Sequence, residues 1–209
     1  RNSLASHMEC SHGGRINPEN VLISAGCNQA FCLTIMGVAK AGDEVILSVP
    51  YYFNHMMWLE MLGIKPVLIP FRKDLSSVPS PEDVEGLITE KTKAIVLVSP
   101  NNPTGAIYPS NILSQFFELA HTSKIALVLD ETYKDFLTTM PPHTIFHSSC
   151  WEETFVQLYS FSKVFSLTGY RVGSIIGGQS IIDAATKVMD TLAICAPRIA
   201  QDAALYGLN

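Results

Sequence analysis

A chain of 209 residues, 47% of them hydrophobic, can close the core of one sizeable α/β domain and is too apolar to stay disordered. Its net charge of −5, with no basic run, argues against a nucleic-acid partner or an acidic membrane surface, and no apolar stretch approaches a membrane span. Cys10, Cys27, Cys32, Cys150 and Cys195 are irregularly spaced, without a C-x-x-C pair, and read as reduced thiols of a cytoplasmic protein.

The chain opens without a start methionine, on Arg1 to Met8, the tail of a helix, and closes on Tyr206-Gly207-Leu208-Asn209 at or inside another. A fragment of a longer protein is expected. After a polar turn, Ser11 to Asn17, Val21 to Ser24 reads as a short buried strand. Ala25-Gly26-Cys27-Asn28-Gln29 opens a helix to about Ala39. Small residues at that turn permit close approach of a ligand, and the helix end favours an anion. The plainer reading is an ordinary helix start capped by Asn28. Strand Glu44 to Ser48 follows, then a helix from Pro50-Tyr51-Tyr52-Phe53 to about Leu62, in which Tyr52 is the candidate to stack on a flat heterocycle. Strand Lys65 to Pro70 leads through a polar connection, Phe71 to Val78, to a helix started by Ser80-Pro81-Glu82-Asp83 and ending near Ile88. Thr92 to Val98 is continuously apolar, as in a sheet covered on both faces.

Ser99 to Gly105 is a loop fixed by two prolines and a glycine, able to hold Asn102 in one place. Pro109 to His121 is a helix, and strand Ile125 to Leu129 ends in Asp130-Glu131-Thr132-Tyr133. A carboxylate there suits either a site or a helix cap. Residues 138 to 152 take no assignment. His143 and His147 follow two prolines and read as loop histidines rather than metal ligands, so no metal is expected. Strand Thr154 to Tyr159 precedes Ser160-Phe161-Ser162-Lys163. Strand Arg171 to Ile176 and helices Ser180 to Thr191 and Pro197 to Tyr206 complete the chain.

Lys163 organises the rest. It lies just past a buried strand, at the rim where α/β sheets place ligands. An amine there can form a Schiff base with a carbonyl, and Arg171, in a glycine-bounded segment, suits an anion clamp. Ser160-x-x-Lys163 also spells the serine–lysine pattern of penicillin-binding proteins, but here the serine ends a strand and Lys-Thr-Gly is absent. Five soft signals at successive strand ends point to one site for a flat, anionic, aldehyde-bearing cofactor.

SPNNPTG at 99–105, DETY at 130–133 and SFSK at 160–163 followed by GYRVG at 169–173 together resemble the class I/II aminotransferases, within the fold-type I pyridoxal-phosphate enzymes. Matching stretches run from about Asn20 to Gly178. The resemblance implies a three-layer α/β/α sandwich with a mostly parallel sheet. Residues 1–209 would be the large, pyridoxal 5'-phosphate-binding domain, without the family's N-terminal segment and C-terminal small domain. It implies that Lys163 carries the cofactor as a Schiff base and shuttles the proton, and that Asp130 pairs with the pyridine nitrogen. Asn102 and Tyr133 would bond the phenolic oxygen, and Tyr52 would stack on the ring. Gly26, Cys27 and Asn28 would hold the phosphate with Ser160 and Arg171. The implied reaction moves an amino group between an amino acid and a 2-oxo acid, in a homodimer. A carbon–sulfur β-lyase or synthase on the same cradle, or the sensor domain of a transcription regulator, would share these motifs. The fragment alone is expected to turn over poorly, and a normal transamination rate would contradict that.

Overall fold

The apolar runs become one seven-stranded sheet in the computed structural model, which describes residues 1–71 and 77–209. The strands are β1 (Val21–Ser24), β2 (Glu44–Ser48), β3 (Lys65–Ile69), β4 (Thr92–Val98), β5 (Ala126–Asp130), β6 (Phe155–Ser160) and β7 (Gly173–Gly177). Their spatial order is β1-β7-β6-β5-β4-β2-β3. The run from β3 through β2, β4 and β5 to β6 is parallel, while β7 lies antiparallel between β6 and β1. The sheet is therefore mostly parallel.

The helices are α1 (Asn2–His12), α2 (Cys27–Val38), α3 (Phe53–Met61), α4 (Glu82–Glu85), α5 (Ser110–Thr122), α6 (Trp151–Thr154), α7 (Gln179–Leu192) and α8 (Arg198–Leu208). They cover both faces. On β4, Ile95 and Leu97 pack with Met8 of α1, Phe116 of α5 and Ala200 of α8. Ala94 and Val96 pack on the other side with Phe31 of α2, Leu59 of α3 and Ala185 of α7. Successive side chains of a strand point to opposite faces, so a strand between two helical layers must be apolar at every position. Burying each large side chain contributes about 1.5–3 kcal/mol, and this makes the sheet a rigid platform for the loops at its edge. Among the described residues no helix is long and apolar enough to cross a membrane.

Several boundaries differ from the sequence reading. Ser11 and His12 belong to α1 rather than to a turn, because His12 is buried against the body of the domain. The helix after Ser80 is a single turn ending at Glu85, where Gly86 stops it, and Pro81 rather than a serine side chain precedes it. Thr154 ends α6, so the strand starts one residue later. Arg171 precedes β7: its φ of 57° is left-handed and incompatible with a strand. The stretch left unassigned holds a 3-10 turn, Ile145–His147, and the start of α6. Of the polar connection after β3, residues 72–76 lie outside the described residues.

Candidate active site

Strands β1, β4, β5 and β6 run the same way, so their carboxyl ends share one edge, and antiparallel β7 brings its amino end there too. Register sets the neighbours. Gly173 pairs with Ser24 on one side and Ser160 on the other, and Asp130 is level with Val98 and Leu158. A side chain at Gly173 would put its Cβ 2.6 Å from the Cys27 nitrogen and 2.7 Å from the Gly26 carbonyl carbon. Only glycine lets these segments meet. Gly26 takes a φ of 86°, and a Cβ there would overlap the Arg171 guanidinium, so the guanidinium lies directly on that turn.

These segments enclose a cavity of about 220 Å³. Cys27, Asn28, Ser160 and Arg171 line it with Tyr52, Asn102, Asp130, Tyr133 and Lys163. Gly26 caps α2 and is not among the residues lining the cavity. No side chain caps α2 and its first turn has no acid, so the helix end remains available to an anion. Asn28 is not the cap: its Oδ1 accepts from Trp58 Nε1 at 3.0 Å. Ser160 Oγ accepts from the Ser162 N–H at 3.2 Å, and Arg171 Nη1 donates to the Thr168 carbonyl at 2.9 Å.

Asp130 is the polar anchor, 5% exposed. It caps no helix. Its Oδ1 accepts the Thr132 N–H at 3.0 Å and the Thr132 hydroxyl at 2.7 Å, and the Cys27 thiol lies 3.7 Å away. Its Oδ2 lies 3.3 Å from His55 Nε2. Burial pushes the Asp130 pKa up, but His55 and Thr132 outweigh it and hold the carboxyl below its ordinary range. Burial, then the Asp130 charge, pushes the Cys27 thiol well up, so it stays a protonated donor. Burial likewise raises the Tyr52 phenol. Asn102 Nδ2 lies 3.5 Å from Tyr133 Oη, and Lys163 Nζ is 5.9 Å from the Tyr133 ring centre.

Sequence reasoning missed His55, Thr132, Ser162 and Thr168, which also line the cavity. His55 follows Tyr52 by one helical turn, a spacing that places both on one face, and it stacks on Phe31 with centroids 4.0 Å apart. Its link to Asp130 is tertiary.

Under the strand end lies a second polar layer. His12 Nε2 is 3.0 Å and His143 Nε2 3.5 Å from Glu131 Oε2, and Gln157 Nε2 donates to the same oxygen. Next to it, Lys134 Nζ meets Asp135 at 2.6 Å, and Tyr159 Oη donates to Asp135 at 2.5 Å. His143 is thus no ordinary loop histidine: it is fully buried. His12, Glu131 and His143 lie within 4.8 Å of one another. The Ile145 N–H donates to His143 Nδ1 at 3.2 Å.

The family model described as aminotransferase class I and II matches residues 1–209. A bifunctional aspartate and glutamate/aspartate-prephenate aminotransferase of Petunia hybrida is 30% identical over 100% of the chain and 44% of its own length. The structure of an aspartate aminotransferase from Thermus thermophilus with maleate superposes with a TM-score of 0.92 at 31% identity, over 99% of this chain and 54% of that one. One from Thermotoga maritima gives 0.93 at 30%, over 99% and 55%. The chain spans about half the length of the curated relatives it matches.

Proposed function

The chain belongs to the class I and II aminotransferases, and on that premise we propose that its cavity holds pyridoxal 5'-phosphate and serves amino-group transfer between an amino acid and a 2-oxo acid. One juxtaposition carries the reading: the buried Asp130 carboxylate, the Lys163 amine and the Arg171 guanidinium line the same cavity. The donor set fits the group. An acceptor for a protonated ring nitrogen lies deep in the cavity, and an uncapped helix end with Arg171 suits a phosphate.

When bound, the cofactor supplies an aldehyde for amine exchange and a ring that draws electron density from the substrate's α-carbon. Lys163 Nζ would be the amine that carries the group's aldehyde end and the base that moves the proton at the substrate's α-carbon. Asp130 would hold the proton on the ring nitrogen. Asn102 Nδ2 and Tyr133 Oη would donate to the phenolic oxygen, Tyr52 would cover the ring face, and Ser160 with Arg171 would hold the phosphate. Family membership also supports a cytoplasmic homodimer, which cell fractionation and sedimentation check.

Titrating the chain with pyridoxal phosphate should produce a visible band that borohydride fixes covalently, with the label on Lys163 in peptide mapping. Label spread over surface lysines, or none, would sink the reading. Asp130→Ala should slow amino-group exchange in a single-turnover assay by about 10–100-fold, the value of about 1–3 kcal/mol for a hydrogen bond to a charged group.

A further inference from the structure

A carboxylate has about four lone-pair sites, two on each oxygen. At Asp130 they are not shared evenly. Oδ1 takes both donors of Thr132, at 3.0 and 2.7 Å, and has the Cys27 thiol 3.7 Å away. Among the described residues Oδ2 has one partner, His55 Nε2 at 3.3 Å. Oδ1 is therefore full, and the two Thr132 bonds fix the rotation of the carboxylate about its Cβ–Cγ bond.

From this census we infer that Thr132, assisted by the Cys27 thiol, is the positioning residue of the site: it saturates Oδ1 and leaves one open acceptor on Oδ2 for a protonated heteroaromatic nitrogen. The inference rests on the cavity being a pyridoxal-phosphate site. It also gives Cys27 two separate jobs. Its backbone N–H stays with the helix end that faces the anion, and its side chain turns to Asp130.

Thr132→Val keeps the shape and the backbone N–H and removes only the hydroxyl. A carboxylate that has lost a donor takes up a proton more easily. The acid limb of the bound cofactor's visible absorption should therefore move to higher pH, and single-turnover exchange with an amino acid should slow by about tenfold. Thr132→Ser should restore both. Cys27→Ala keeps its N–H and should move the acid limb the same way by less, giving an independent reading if the valine variant folds poorly. Acid limbs identical to that of the unmodified chain in both T132V and C27A, with borohydride labelling of Lys163 intact, would overturn the inference and leave the cofactor reading standing. Absence of labelling in the unmodified chain would overturn both.

Discussion

Alanine in place of Lys163 is expected to abolish borohydride-fixed attachment and to slow amino-group exchange by about 10²–10⁴-fold from lost proton transfer alone. The side chain is exposed at the bend after β6 and forms no salt bridge among the described residues, so folding should barely change. Among the described residues no amine lines the cavity in its place. Lys134 is fully buried and tied to Asp135 at 2.6 Å. Non-covalent binding should persist, because the helix end, Arg171 and Asp130 remain. Absorption spectroscopy and mass analysis of K163A check this, and attachment at undiminished yield would show that the amine is misassigned.

Glu131→Ala should cost about 1–3 kcal/mol of stability for each buried polar group it leaves unsatisfied. It strips His12 and Gln157 of their common acceptor and takes away the carboxylate 3.5 Å from His143 Nε2. Urea denaturation measures it, and a midpoint equal to that of the unmodified chain would show that water replaces the carboxylate. The same cluster sets an acid dependence. Burial pushes the Glu131 pKa up, but His143 and His12 outweigh it and hold it well below the usual carboxylate range. Its contribution is present above the unfolded value of about 4.3 and is lost as pH falls through the folded one. Burial lowers the His143 pKa, so below about pH 6.5 the unfolded chain takes up a proton that the folded chain refuses. Both effects favour unfolding in acid. The urea midpoint should fall from about pH 6.5 downwards, and E131A should lose the part of that fall below about pH 4.3.

Residues whose role is fixed by chain neighbours were legible. Strands β2 and β4 have their expected limits because each has a continuous apolar stretch, Val45 to Leu47 and Ala94 to Val98, set between turns. That Lys163, Asp130 and Asn102 line one cavity was legible because each lies at or just past the carboxyl end of a strand, and strand ends on one sheet edge meet. Strand direction was not legible. An apolar run reads the same in either orientation, so the antiparallel setting of β7, which delivers Arg171 to the cavity, needed the sheet itself. Nor was the second polar layer. His12 comes from a helix tail and His143 from a proline-rich loop, and only tertiary convergence on Glu131 explains their burial. His55 was hidden for the same reason, on an aromatic-rich helix far along the chain from Asp130.

The closed pairing of Ser160 with Gly173 means that the amine and the guanidinium hang from a single span of peptide clamped at both ends. Phe161 and Val172 of that span are buried in the core, and Phe165 and Leu167 pack against it, so packing as well as chain length sets how the two groups stand. Lengthening segment 160–173 by one residue would therefore disturb those core contacts together with the spacing of Lys163 and Arg171.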